Sequence, residues 1–436
     1  MRILSPKLLF GALLPLLLVT GLCAQREPGK HYFGTHSYVE YQAGNLPIVL
    51  TAPHGGYLKP KALKNRTWGV IGQDLKTQEL ARDLSQAIFA MTGRYPHVII
   101  NRLHRVKLDA NRAIKEAAQG DKGAEQAWRE FHAYIDEAKK AVVNEYGKGH
   151  LYDLHGHGHA TPWLELGYAL TASDLAKSDK TLRQQSYIAK STIRNLAVQK
   201  GVDFPEVLRG PSSLGGLLYK WYRSVPGPID PSPNGKAYFN GGYNVRRHGS
   251  QQGGAIDATQ IEHHNAVRLT SSARQAYSVI FSKALLQFFR RYYAIDLASG
   301  ARPLGPGCPG TQGTPRYSTP GSIAIGAPAR IHVDRLPAAS PTLLVIGVSA
   351  KSWGAFGLPL DLSPLGAKNC FLRQGFDLGL SLGTATGGSI QRTLPIPRQE
   401  SLKGRSLYSS VLVFDPKANK LGLTFSNALV WRIGQL

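Results

Sequence analysis

The chain predicts an α/β layered domain over one sheet, followed by an antiparallel β-sandwich, and two textures with a break between them carry that prediction. Up to about residue 300, short apolar runs alternate with long amphipathic stretches, the pattern of strands and helices layered on a single sheet. After "LASGARPLGPGCPGTQGTP" (297–315) helical periodicity stops, and short β-like runs stand between Gly, Pro and Ser turns. A mature chain of about 410 residues is too long for one ordinary core and fits two or three domains.

Taken in order, the first element is a leader. Arg2 and Lys7 precede "LLFGALLPLLLV", which is too short to span a bilayer, and Ala24 supplies the small residue of a cleavage site. This predicts a secretory signal over 1–24 and an exported protein. Lipidation of Cys23 is the less favoured alternative, because Leu22 stands where lipoprotein signals resemble one another in a small residue. No later segment is apolar enough to predict a transmembrane helix. "LPIVLTA" (46–52) and "HVIIN" (97–101) read as buried strands. "DLKTQELARDLSQAIFAM" (74–91) and "AEQAWREFHAYIDEAKKAVV" (124–143) carry helical spacing, and a further helix is expected over about 271–293. Beyond the break, "ARIHVDRL", "TLLVIGVS", "SLYSSVLVFD" and "KLGLTFSNALV" read as sandwich strands. Cys308 and Cys370, an even pair in an exported chain, favour a disulfide, with two buried thiols as the alternative.

The formal charge of +24 is spread along the chain. There are no Lys/Arg tracts interleaved with aromatics, so the composition does not point to nucleic acid. It suits contact with anionic polymers outside the cell, or serves solubility alone.

Four short segments hold the chemistry. "TAPHGGY" (51–57) places His54 at a strand end before two glycines. "NRLHRVKLDANR" (101–112) follows the next strand with four basic side chains, and arginine forks suit carboxylates. "LYDLHGHGHA" (151–160) alternates His155, His157 and His159 behind Asp153; on a strand, residues two apart share a face, and an adjacent carboxylate can orient a ligating imidazole. "TQIEHHNAVR" (259–268) puts Glu262 where a helix is expected to start, as a site base or as a first-turn acid complementing the helix dipole. Each segment alone also fits a structural role.

In this order the segments resemble the N-formylglutamate amidohydrolase family, relatives of the zinc carboxypeptidases. The matching residues are His54 in "PHGG", Asp109, Asn111 and Arg112 in "D-x-NR", Asp153 and His155 in "D-x-H", and Glu262 after Gln260 in "Q-x-E", with "ELGY" (165–168) and "YFNGGYNVRRHG" (238–249) also similar. The resemblance covers 30–295. It implies a three-layer α/β/α hydrolase domain with one Zn2+, before a sandwich over 305–436 that itself resembles modules appended to exported bacterial enzymes. It further implies His54 and His155 as ligands, an open position for water, and Glu262 as proton acceptor. Arg112, placed by Asn111, would clamp a substrate carboxylate with help from Arg102 or Arg105. His248, like His159, His263 and His264, is by default a surface or substrate-groove histidine. The carboxypeptidases carry glutamate three residues after the first histidine, where this chain has Tyr57. The third ligand must then come from elsewhere: the resemblance includes an acidic residue in the segment "GQDLKTQELA" (72–81) and so implies Asp74, with His157 as runner-up because residues two apart on a strand can bind one metal; Asp74 as a plain helix N-cap is the bland alternative. The expected activity is hydrolysis of an amide in a carboxylate-bearing peptide, cell-wall fragment or γ-glutamyl polymer. The competing expectation is a binding protein for an anionic surface polymer, built on a degenerate hydrolase domain.

Overall fold

A computed structural model describes residues 26–434. The expected signal segment, with Cys23, lies outside these residues. The described chain is mixed α/β. Its first part is built on an eight-stranded sheet of β1 (His31–Phe33), β2 (Val39–Gln42), β3 (Ile48–Ala52), β4 (His97–Asn101), β5 (Gly149–His157), β6 (Leu164–Gly167), β7 (Ser224–Val225) and β8 (Ile256–His264), in the order β1-β2-β4-β3-β5-β8-β6-β7.

Strands β4, β3, β5 and β8 run parallel, and their central residues are buried on both faces, which is why β3 and β4 read as continuous apolar runs. Alternation divides those residues between two cores. Leu50, Ile100, Tyr152 and Ile261 pack with Leu80, Leu84, Phe281 and Leu285 on one face. Val49, Ile99, Leu151 and Ala258 pack with Phe131, Ile135 and Val245 on the other. Burying one such aliphatic side chain contributes about 1.5–3 kcal/mol, so each core outweighs the loss of any single residue in it.

The three long helices fall where periodicity predicts them. They span Thr77–Thr92, Lys122–Tyr146 and Ser271–Phe288, and a π turn carries the last on to Tyr293. Asp121 caps the second through the Ala124 amide at 2.9 Å, and Gly147 closes it with φ 73°.

The chain passes from β3 outward to β4 and returns through the Lys122–Tyr146 helix to β5 on the other side of β3. The order in which strands are added to the sheet therefore reverses between β3 and β5. In parallel sheets, the crevice outside the carboxyl ends of strands at such a point is where ligands bind.

Among the described residues beyond 299, every pairing between the named strands is antiparallel. One sheet orders Arg316–Ser318, Pro328–Asp334 and Ile390–Pro395. A larger one orders Leu378–Thr384, Pro341–Gly347, Ser406–Phe414, Ala428–Arg432 and Gly300–Gly305. Ile331, Val333 and Ile390 of the first share a core with Leu344, Val411, Val413 and Trp431 of the second. A disulfide joins Cys308 and Cys370, buried with Val345, Leu412 and Phe425. The Gly/Pro-rich stretch at the break in texture contributes strand Gly300–Gly305, an edge position that tolerates Pro303. The Gly321 amide donates to Glu145 Oε1 at 2.9 Å, and Arg330 donates to the Glu145 carbonyl, so the two parts touch.

Among the described residues no helix is long and apolar enough to cross a membrane.

Candidate metal centre

The carboxyl ends of β3 and β5 bring His54, Asp74 and His155 together, with one ligand atom from each lying within 4.8 Å of the others. All three are buried. His54 follows β3 on a turn whose glycines permit close packing: a Cβ on Gly55 would lie 2.5 Å from Thr77 Oγ1, and one on Gly56 would lie 2.3 Å from the Arg102 backbone. Asp74 stands ahead of the Thr77–Thr92 helix, whose first flanking residue is Lys76. The Asp74 backbone carbonyl accepts from Thr77, which leaves its carboxylate free of capping and aimed inward.

The donor geometry is specific. His54 Nδ1 and His155 Nδ1 lie 3.2 and 3.1 Å from the same oxygen, Asp74 Oδ2. The opposite ring nitrogens are held by two other carboxylates, His54 Nε2 by Asp109 at 2.7 Å and His155 Nε2 by Asp153 at 2.8 Å. Asp109 and Asp153 thus fix both rings with Nδ1 facing inward, as outer carboxylates do for metal-ligating histidines. Thr51 Oγ1 at 2.5 Å and Asn244 Nδ2 at 3.2 Å donate to Asp153, while Arg105 Nε donates to Asp109 at 2.8 Å.

Burial acts to raise these carboxyl groups, but their partners outweigh it. His54 and His155 hold Asp74 well below the usual carboxylate range; His54, Arg105 and Arg112 do the same for Asp109, and His155 lowers Asp153. Three ionised carboxylates surround the two imidazoles, with Arg105 and, at 3.9 Å, Arg66 against Asp109. The inward donor set of two imidazoles and one carboxylate is one that zinc accepts. These residues fit such an ion.

Glu262 differs from expectation in its element. It lies within β8, not at a helix start, and pairs in register with His155 on one side and Glu165 on the other. All three side chains therefore share one face of the sheet. Gln260 Nε2 donates to Glu262 Oε1 at 2.9 Å. Burial pushes the Glu262 carboxyl up to about 8; His155 opposes this, and Asp74, Glu165 and Asp153 add to it. A cation at Asp74 would act in the same direction as His155.

Several expected residues stand elsewhere. Arg102 donates to the Ser37 carbonyl at 2.9 Å and packs over Phe33, outside the cluster. His248 pairs with His132 at 2.8 Å and Asp136 at 3.3 Å against the Lys122–Tyr146 helix, also outside it. Arg105 is paired with Asp109 at 2.8 Å and with Asp74 at 3.4 Å. Asn111 is built into the frame, with its Nδ2 3.2 Å from His155 Nε2 and its Oδ1 accepting from the Asn244 amide at 2.7 Å. Arg112 is half-buried, bonded to Glu116 at 3.1 Å and to the Asn111 carbonyl at 2.9 Å. His157 does not join Asp74; its Nε2 donates to the Trp163 carbonyl at 2.9 Å. Tyr57 is exposed and donates to Glu79, away from the ligands.

Sequence reading missed Arg268, which crosses behind β5. It donates to the His263 carbonyl at 3.0 Å and to Asn265 at 2.7 Å, and a Cβ on Gly156 would lie 2.1 Å from its Nε. Gly156 therefore makes room for Arg268. A cavity of about 720 Å3 bounded by Leu175, Glu206, Arg209 and Pro228 includes none of these residues.

No family model matches the chain, and no curated protein matches it. Solved structures do align. An N-formylglutamate amidohydrolase from Ralstonia eutropha JMP134 is 12% identical, with 59% of this chain and 98% of that one covered and a TM-score of 0.37. A gene product from Agrobacterium tumefaciens is 14% identical, covering 57% and 94%, with a TM-score of 0.34. Murine aminoacylase 3 is 12% identical, covering 81% and 98%, with a TM-score of 0.26. At these scores the alignments assign no role to any residue; the donor geometry stands by itself.

Proposed function

We propose that this chain is an exported zinc-dependent hydrolase of an amide bond in a carboxylate-bearing substrate, on a three-layer α/β/α domain followed by a β-sandwich. The observation that carries the reading is the convergence of two imidazole Nδ1 atoms on one Asp74 oxygen, with Glu262 one strand away on the same face.

His54, Asp74 and His155 would hold the ion. When bound there, zinc lowers the pKa of a water molecule and polarises a carbonyl. The rest is done by the chain's own groups. Asp109 and Asp153 keep both rings in the ligating tautomer. Glu262, braced by Gln260, takes the water's proton and delivers it to the departing nitrogen. Arg112 meets the substrate carboxylate at the rim, and Arg105 stays behind it, holding Asp109 and Asp74. The charge of +24 suits an anionic peptide or polymer outside the cell.

Zinc retention tests the assignment directly. His54→Ala and His155→Ala should each abolish zinc binding at this centre in a chain that still folds, and Asp74→Ala should weaken it strongly. Plasma mass spectrometry of dialysed protein reads the outcome. Zinc that depends on neither histidine would reject the centre.

A further inference from the structure

We propose that His157, His159 and Glu165 form a second, separate site for a divalent transition-metal ion of the zinc class. Three elements build it. His157 ends β5, His159 lies in the loop that follows, and Glu165 lies in β6. One ligand atom from each falls within 4.8 Å of the others.

The local geometry repeats that of the first centre. There, two imidazole Nδ1 atoms face one Asp74 oxygen. Here, His159 Nδ1 lies 2.7 Å and His157 Nδ1 3.6 Å from one oxygen, Glu165 Oε1. His157 donates through Nε2 to the Trp163 carbonyl at 2.9 Å, which leaves the Nδ1 lone pair facing Glu165. That Nδ1 accepts only a long contact from the His159 amide, at 3.2 Å, which a cation would replace. Glu165 is fully buried and oriented from two sides, by Trp163 Nε1 at 3.2 Å on Oε1 and by the Phe239 amide at 2.7 Å on Oε2. His159 is the open side, its side chain 24% exposed with Phe239 packed on the ring.

Two imidazoles and one carboxylate select zinc-class ions over calcium or magnesium, which prefer all-oxygen shells. The two centres do not merge. His155 and Glu165 lie on β5 and β6 with β8 between them, and two strand spacings come to about 10 Å. A shared-water pair needs about 3.5–4 Å. Glu262 stands between the centres and belongs to neither donor set.

This inference does not depend on the proposed function, and zinc stoichiometry separates the two. The full mature chain is equilibrated with Zn2+, dialysed and analysed by plasma mass spectrometry, with cobalt(II) spectra as a second readout and thermal melts to confirm folding. Wild type should hold about two ions, and His159→Ala, His155→Ala and the double variant about one, one and none. Affinity at the second site should fall by more than the 10–100-fold that loss of an outer partner costs. His159 is partly exposed, so His159→Ala should leave the fold intact; Glu165→Gln is the second variant. Wild-type zinc content in both His159→Ala and Glu165→Gln would overturn the second site while leaving the first standing. Zinc that depends on His159 and not on His155 would support it and overturn the first. No bound zinc in any form would overturn both.

Discussion

At Glu262, glutamine preserves side-chain size and the bond from Gln260, and only the capacity to take a proton is lost. General acid–base assistance is worth about 10²–10⁴-fold, or roughly 3–5 kcal/mol of barrier. Glu262→Gln should therefore lower amide turnover by that order while zinc content stays at the wild-type level. Steady-state kinetics with zinc measured in each preparation gives the answer, and near-wild-type turnover would remove Glu262 from the mechanism. Gly156 poses a packing question of a different kind. A methyl group there meets the Arg268 guanidinium, which is fixed by three backbone and side-chain acceptors and has little freedom to retreat. Overpacking of this sort costs about 1–3 kcal/mol. Gly156→Ala should lower the denaturation midpoint accordingly, and pairing it with Arg268→Ala should recover part of the loss. Unchanged stability in the single variant would mean that Arg268 yields easily.

At the scale of elements, what could be read from the sequence follows from how each element is buried. β3 and β4 are apolar on both faces, and the long helices repeat their apolar positions over three or more turns, so all five are legible. β8 was not. Its sequence, "IDATQIEHH", is polar at Gln260 and Glu262 because those residues face the site and not a core, so periodicity suggested a helix start. The short helices between Ala172 and Tyr219 span four to six residues each, too few for any period to emerge. His54, Asp74, His155 and Glu262 were nominated by motif, and Arg102 and His248 by the same reasoning. Chemistry marks all six, but the direction of each side chain is set by strand register and by partners such as Ser37 and His132 that lie far away in sequence. The disulfide is an element-scale constraint. Its sequence separation of 62 corresponds to about 4 kcal/mol on the chain-entropy model. Replacing Cys308 and Cys370 with serine should lower the melting temperature of the antiparallel sheets and leave zinc content unchanged, because every proposed ligand precedes residue 300. Calorimetry alongside metal analysis checks both halves, and zinc loss in the serine variant would contradict the separation.

Across the whole molecule, acid stability follows from histidines buried without charge. His97 in β4, His132 in the Lys122–Tyr146 helix and His150 in β5 are pushed down to about 3, about 2 and about 3, with burial the leading cause for each. His97 isolates the effect, because burial is its sole cause and it lies outside both proposed metal centres. Its Nδ1 accepts from the Tyr41 hydroxyl at 2.9 Å and from the Gly44 amide at 3.1 Å, so a proton added there has no acceptor waiting. The sign follows. Above pH 6.5 the ring is neutral in both states and contributes nothing that varies with pH. As pH falls from 6.5 towards about 3, the unfolded chain binds a proton that the native chain refuses, and stability drops. The loss from this one residue is about 1 kcal/mol at pH 5.5 and about 3 kcal/mol at pH 4.5. Asp257 runs the other way, because burial raises it to about 6 and its ionisation cost is relieved on acidification, but over pH 7.5 to 5.5 that returns only about 1 kcal/mol. His97→Asn retains an acceptor near the Nδ1 position and cannot be protonated. It should lower stability modestly at pH 7.5, yet lose about 1 kcal/mol less than wild type on going to pH 5.5, and about 3 kcal/mol less on going to pH 4.5. Urea denaturation of both proteins at the three pH values, compared as differences, cancels every group they share. Parallel stability curves would mean that His97 is protonated in the native state and that the acid sensitivity of the fold lies elsewhere.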